Sequence, residues 1–229
     1  MKKLKVVISK LSRNTKNFQP FSSREERAKF TSILYKKYLV NSVLDVGCSD
    51  KALKKWLSDD ITYMGVDIAG DPDLKVNLEK ENLQMFNDNT FQTVVCTEVL
   101  EHIENIHEIF DELCRVSNKY IIISLPNNWV NFKFSLISGK NEQKFYGLPV
   151  EKPLDRHKWF FNYDQALNFI KFGARKNNFN IKHKFSLPII QNNFKFQIFN
   201  LFFKLYYKNQ FRTNNLFVSS LWVLLEKKI

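Results

Sequence analysis

Glycine and proline are scarce in this chain, six of each among 229 residues, and there is no internal repeat, so no stretch reads as a linker between two domains. The length suits one α/β domain with some elaboration. Long apolar runs are missing too. Lysines interrupt the aromatic stretch from Phe194 to Phe211, and no segment approaches the roughly 20 apolar residues that a spanning helix needs. Val6-Val7-Ile8 is too short for the apolar core of a signal peptide and is soon followed by Lys10 and Arg13, so the expected location is the cytoplasm. The three cysteines, Cys48, Cys96 and Cys114, form no CxxC pair and fall in core-like segments, which favours buried thiols over disulfides or zinc ligands. Acids are nearly absent from both ends: residues 1–42 hold 2 against 11 Lys/Arg, and residues 165–229 hold 1 against 11. The middle reverses this, with 16 acids against 7 bases over residues 43–120. Such ends suit an anionic partner, whether phosphate, nucleic acid or an anionic membrane surface met peripherally; a lysine-rich solvated surface is the plainer alternative.

What is present alternates between two periods. Ser23-Arg24-Glu25-Glu26 is a capping-box pattern, and Phe30, Ile33, Leu34 and Tyr38 follow at helical spacing, which predicts a helical cover within residues 1–40. Ser42–Val46, Ile61–Asp67, Leu74–Leu78, Phe91–Thr97 and Tyr120–Ser124 read as strands, with helical stretches around Leu53-Trp56-Leu57 and Ile106-Ile109-Phe110-Leu113. Residues 126–162 lose the pattern and carry Gly139, Gly147, Pro149 and Pro153, which marks a long loop of the kind that binds substrate. A helix from Tyr163, a strand Asn180–Leu187 and a last strand Leu216–Glu226 close the chain, with a basic aromatic insertion over 188–213. The fold expected for residues 41–229 is a doubly wound, Rossmann-like α/β sheet of seven strands in a single domain, the last strand antiparallel. The insertion, rich in Phe and carrying Lys195, Lys204, Lys208 and Arg212, is expected to pack as a helical cover in preference to lying on a membrane.

The first βα turn carries the most information. Asp45-Val46-Gly47-Cys48-Ser49 places an acid in the strand two residues before a glycine, and Gly65-Val66-Asp67 ends the next strand with an acid suited to ribose hydroxyls. Two acids argue for a nucleoside-type ligand, and a dinucleotide fits poorly because a carboxylate would stand beside a pyrophosphate. On these residues the sequence resembles the class I S-adenosylmethionine-dependent methyltransferases over about residues 40–187. The resemblance implies that Asp45 and Gly47 face the amino-acid part of S-adenosylmethionine and Asp67 the ribose. It further implies that Asn77 and Leu78 approach the adenine, and that Cys48, Ile68 and Thr97 are also among the cofactor-binding residues. The family's second and third glycines are Ser49 and Lys51 here, so Lys51 has to point away from the cofactor.

After the fourth strand stands Thr97-Glu98-Val99-Leu100-Glu101-His102. Offsets of three and four would put Glu98, Glu101 and His102 on one side of a helical turn. This E-V-L-E-H wording is similar to that of ubiquinone-pathway and small-RNA 3′-end O-methyltransferases, which implies a divalent ion, Mg²⁺ or Mn²⁺, held by Glu98, Glu101, His102 and a later histidine. His157, in Arg156-His157-Lys158-Trp159-Phe160, matches that position. Without a metal, His102 or His157 can serve as general base and Glu98 can align the acceptor. His107 reads as surface, His183 lacks an acidic partner, and Trp159-Phe160-Phe161 read as core sooner than as pocket wall. The wording around Tyr146–Phe161 also resembles methyltransferases of bacterial surface-polysaccharide clusters. The implied activity is O-methylation of a sugar, glycan or other vicinal diol. The alternatives are 2′-O-methylation of an RNA 3′ end and a catalytically silent binding subunit.

Overall fold

The computed structural model describes residues 21, 23–139, 145–189, 194–207 and 213–228. Residues 1–20 of the expected N-terminal cover, and Lys208 and Arg212 of the basic insertion, therefore lie outside the described residues. Ser23 caps helix α1 (Arg24–Leu34), its Oγ accepting from the Glu26 amide at 3.2 Å. One face of α1 is apolar because Ala28 and Phe30 point at the sheet, where the Phe30 ring lies 5.1 Å from that of Trp222.

The sheet comprises β1 (Ser42–Val46), β2 (Thr62–Asp67), β3 (Leu74–Lys75), β4 (Phe91–Thr97), β5 (Ser117–Pro126), β6 (Phe179–Pro188) and β7 (Val218–Lys227). Its order is β3-β2-β1-β4-β5-β7-β6, parallel through β5, with β7 antiparallel to both β5 and β6. β7 is wedged between two neighbours and covered on both faces, which is why Leu221–Leu225 is an unbroken apolar run. Alternation along β1 sends Leu44 and Val46 to the core on one side, beneath α3 (Ile106–Val116) and α5 (Tyr163–Lys176), and Val43 to the core beneath α1. Asp45 lies on the α1 side. The order of strands reverses between β1 and β4, and their carboxyl ends, at Gly47 and Glu98, open the crevice where such sheets bind ligands.

Three expectations need correction. The stretch after β1 is a single 3₁₀ turn, Lys54–Trp56, because Ser49 (φ 49°) and Lys51 (φ 54°) take left-handed conformations that delay any helix. The patternless loop contains a helix, α4 (Asn128–Ile137), after which residues 145–162 are irregular. Its apolar residues Val130, Phe134 and Ile137 pack with Ile189 in a cluster separate from the two that flank the sheet. The basic aromatic segment forms α6 (Phe194–Tyr207), yet Ile198, Leu201, Phe202, Leu205 and Tyr206 are all at least 53% exposed, so the expected packing is not reached along this stripe. Two short helices remain, α2 (Leu78–Glu81) and α7 (Asn214–Phe217). Among the described residues, no helix is long and apolar enough to cross a membrane.

Candidate functional site

The turn after β1 is shaped by Gly47, whose amide donates to Val66 O at 2.8 Å at φ 78°. A Cβ on it would lie 2.2 Å from Cγ2 of Val99, so the absent side chain is what lets the β1 and β4 turns close on each other. Asp67, at the end of β2, accepts from the amides of Ser49 (2.7 Å) and Ala69 (3.0 Å). Each of its oxygens retains a second lone pair for a hydroxyl donor. Beyond it Ile68 is 63% exposed, a free apolar surface beside the end of β2. Asn77 Oδ1 caps α2 by accepting from the Glu79 amide at 3.1 Å, and Leu78 packs against the core. Lys51 pairs with Asp71 (3.3 Å) and Asp73 (3.2 Å), which holds its ammonium at the loop after β2.

Asp45, buried at the crevice floor, accepts from Tyr63 Oη at 2.8 Å. Burial pushes its carboxyl pKa up to about 6, against the Tyr63 hydrogen bond and the Arg27 charge, which pull it down. Asp45, Gly47, Cys48 and Thr97 line a cleft whose other wall is Arg24, Arg27 and Thr31 of α1. Arg24 donates to Ser49 Oγ. Arg27 is half-buried and joins no ion pair among the described residues, while its field reaches Asp45, Glu98 and Glu101. A raised carboxyl pKa means that the folded state holds the proton more tightly than the unfolded chain, so Asp45 lowers stability as pH climbs from about 4 to about 6. Asp45→Asn should therefore raise the melting temperature above pH 6, by an amount equivalent to roughly 2–3 kcal/mol, and leave it nearly unchanged at pH 4. Melts across that range check this, and a pH-independent difference would overturn it.

The second half of the site gathers behind β4. Glu98 has φ 55°, a strained conformation held by its amide bonding Ser124 O (3.1 Å) and its Oε1 accepting from Ser124 Oγ (3.1 Å). Leu100–His102 is a 3₁₀ turn that puts Glu101 inward and His102 partly outward. His157 arrives from the 145–162 segment with its ring 4.5 Å from that of His102 and stacked on Phe145. One ligand atom each from Glu101, His102 and His157 lie within 4.8 Å of one another, whereas Glu98 stands outside this group. Burial, then repulsion from Glu98, raises the Glu101 carboxyl pKa, and its buried Oε2 has no partner. Burial raises Glu98 likewise. His157 is pushed down to about 3 by burial and by His102, so its ring is neutral.

The outer nitrogens of both rings are occupied. His102 Nδ1 lies 2.6 Å from Asp155 Oδ1, a carboxylate that accepts the ring proton. Tyr146 Oη lies 2.7 Å from His157 Nδ1 and 3.4 Å from Trp159 O. Both Tyr146 contacts are satisfied together only if the phenol donates to the carbonyl and accepts from Nδ1–H. Each histidine then carries its proton on Nδ1 and leaves Nε2 unprotonated, that of His102 lying 3.8 Å from Glu101 Oε1.

A methyltransferase-domain family model matches residues 8–176. The chain belongs to the methyltransferase-domain family. No curated protein matches it significantly. Among solved structures it is similar to an S-adenosylmethionine-dependent methyltransferase from Archaeoglobus fulgidus, with TM-score 0.59 and 16% identity over 90% of this chain and 95% of that one. It is also similar to the small RNA methyltransferase HEN1, with TM-score 0.61 and 16% identity over 94% of this chain but 26% of that one. Magnesium protoporphyrin IX methyltransferase from Synechocystis, solved with bound SAH, gives TM-score 0.50 and 14% identity over 89% and 82%. These identities speak for the fold; the family match speaks for the cofactor.

The methyltransferase's crevice fits S-adenosylmethionine on its own geometry. The Gly47 cradle would be filled by any Cβ, Asp67 has spare acceptor capacity at the end of β2, and Arg27, in the wall of the cleft, joins no ion pair among the described residues. S-adenosylmethionine supplies an electrophilic methyl on a sulfonium. This chain's part is to bind and orient it, and the cleft lies at the carboxyl ends of β1 and β4, where such sheets bind ligands. Ser49 and Lys51 take glycine-like φ values, so the loop runs left-handed at both positions without the family's glycines. Sequence reasoning missed Arg27, Tyr146 and Asp155. Arg27 is one of many basic residues in its segment, and the other two act only through the histidines they touch.

Proposed function

We propose that this methyltransferase O-methylates a vicinal diol, on a sugar, glycan or comparable acceptor, with Mg²⁺ or Mn²⁺ held by Glu101, His102 and His157. The observation that carries this reading is that one ligand atom each from Glu101, His102 and His157 lies within 4.8 Å of the others, and that Glu101 keeps a buried carboxylate oxygen without a partner. Mixed oxygen and imidazole donors suit such ions. A metal bound there would lower the pKa of a coordinated hydroxyl. Asp155 and Tyr146 set the ring tautomers, and Glu98, locked by Ser124, orients the acceptor. A second reading, methylation of the 2′-oxygen at an RNA 3′ end, draws on the same trio and on the basic ends of the chain.

The test measures transfer from labelled S-adenosylmethionine to a methyl glycoside with a cis-diol, to an isolated alcohol and to an oligoribonucleotide with a free 3′ end. A chelator should lower transfer about 100-fold or more, with recovery on adding Mn²⁺. Glu101→Ala and His157→Ala should do the same while calorimetric binding of S-adenosylmethionine is retained. Equal transfer to diol and isolated alcohol, unaffected by chelation, would overturn the reading. Transfer to the oligonucleotide alone would replace the sugar acceptor by RNA.

A further inference from the structure

Beside the trio, at the same edge of the sheet, lies an apolar hollow of about 210 Å³ between the N-terminal ends of α3 and α5. Its floor is Ile106, Leu125 and Ala166, each no more than 5% exposed. Its sides include the rings of Trp159, Phe160 and Phe169, of which Trp159 and Phe160 remain 36% and 49% exposed. Trp159 and Phe160 were expected in the core with Phe161; the structure leaves both partly exposed at the hollow. Among the described residues, the polar side chains at the hollow are His107, Gln165 and the Trp159 indole, and no Asp, Glu, Lys or Arg lines it. His107, read from the sequence as ordinary surface, meets Phe169 edge-on at 5.2 Å and Trp159 at 6.4 Å.

The hollow and the trio are built from one segment. His157 belongs to the trio and Trp159 and Phe160 to the hollow, so two or three residues of chain, at most about 3.5 Å each, separate them. The segment is pinned at both ends of that interval. Lys158 N donates to Glu101 O at 2.9 Å, and the Trp159 indole N–H donates to Ile103 O at 2.8 Å. Tyr146, which holds His157, also packs its ring 5.2 Å from that of Phe160. An occupant of the hollow is thereby placed within one small molecule's length of the trio.

We propose that the hollow is a subsite for an uncharged nonpolar ring carried by the acceptor next to the hydroxyl that is methylated. Its volume exceeds the roughly 150 Å³ in which an apolar cavity holds benzene. Its aromatic sides suit a flat group. The dry floor rejects a carboxylate or phosphate, whose desolvation nothing there offsets, and a sugar ring would leave most of its hydroxyls unpartnered. His107 and Gln165, at the hollow's margin, are placed to meet one polar substituent. The assignment of the ring to the acceptor rests on the diol reading above; the affinity of the hollow for a ring does not.

The experiment follows side-chain methyl resonances of Ile106, Leu125 and Ala166 in the full chain, saturated with S-adenosylhomocysteine and free of added metal. The probes are benzyl alcohol, benzoate and methyl glucoside. Benzyl alcohol should shift these resonances with a dissociation constant of roughly 0.1–10 mM, and the other two should not at equal concentration. Ala166→Leu, which fills the floor, and Phe160→Ala, a surface change that spares the core, should each weaken benzyl alcohol about tenfold or more. S-adenosylhomocysteine affinity should be unchanged in both. No shift with benzyl alcohol at 20-fold the upper end of that range, or equal shifts with the glucoside, would overturn the subsite. If the ring binds but no diol bearing a ring is methylated, the diol reading falls and the subsite stands.

Discussion

Gly47→Ala should abolish measurable S-adenosylmethionine binding and lower the melting temperature by roughly 5–15 °C. Two costs add. The backbone at φ 78° is left-handed, which penalises a Cβ by about 1–2 kcal/mol. The new methyl would also sit 2.2 Å from Val99 Cγ2 and 3.3 Å from its Cβ, an overpacking worth about 1–3 kcal/mol. The turn has little room to yield, because the amides of Gly47 and Cys48 both bond Val66 O, at 2.8 and 3.2 Å. Val99 belongs to the β4 turn that leads to Glu101, so a shift there spreads from the cofactor site to the trio. The double variant Gly47→Ala/Val99→Ala removes the collision and leaves the backbone strain. It should recover about half of the lost melting temperature and part of the binding. Wild-type affinity in Gly47→Ala, read by calorimetry on folded protein, would sink the claim that this glycine lines the cofactor.

Asp67→Ala should weaken S-adenosylmethionine about 100-fold or more. Charge-assisted hydrogen bonds contribute about 1.5–3 kcal/mol each, and a ribose offers two hydroxyls to one carboxylate. The alanine also strips the acceptor from the amides of Ser49 and Ala69, which loosens the loop that carries the first-turn residues. Asp67→Asn separates the two effects, since its carbonyl oxygen can keep one loop amide while the charge is lost. An intermediate loss is expected for it, with a melting temperature closer to wild type than that of the alanine variant. A dissociation constant within threefold of wild type for Asp67→Ala would remove Asp67 from the cofactor site.

Much of the architecture was legible because local pattern and tertiary role coincide. The runs at β1, β4 and β5 are buried on both faces and read as continuous apolar segments, and the capping signal at Ser23 operates within four residues. The acids at β1 and β2 were legible for a similar reason: in this sheet topology a strand's carboxyl end is the ligand edge, so a position in the pattern is already a position in space. Helix α4 was missed because its apolar side chains build a small cluster with Ile189, apart from the two that flank the sheet. Helix α6 was read as cover because abundance of apolar residues was taken for burial, yet the stripe from Ile198 to Tyr206 faces outward.

The sequence by itself determined the order of the seven strands, the charge asymmetry and the first-turn acids, since each depends on neighbours a few residues apart or on composition alone. Only the tertiary structure decided which of Glu98, Glu101, His102 and His157 meet. His157 is 55 residues from His102, and its approach depends on an irregular segment whose path no periodicity encodes. Glu98 was expected beside the others from helical spacing, but a left-handed residue followed by a 3₁₀ turn breaks that geometry and gives its carboxylate to Ser124. The tautomers are decided the same way. Asp155 and Tyr146 act on ring nitrogens 53 and 11 residues away, and a hydrogen bond of 2.6–2.7 Å is a fact of folded space that spacing along the chain does not contain.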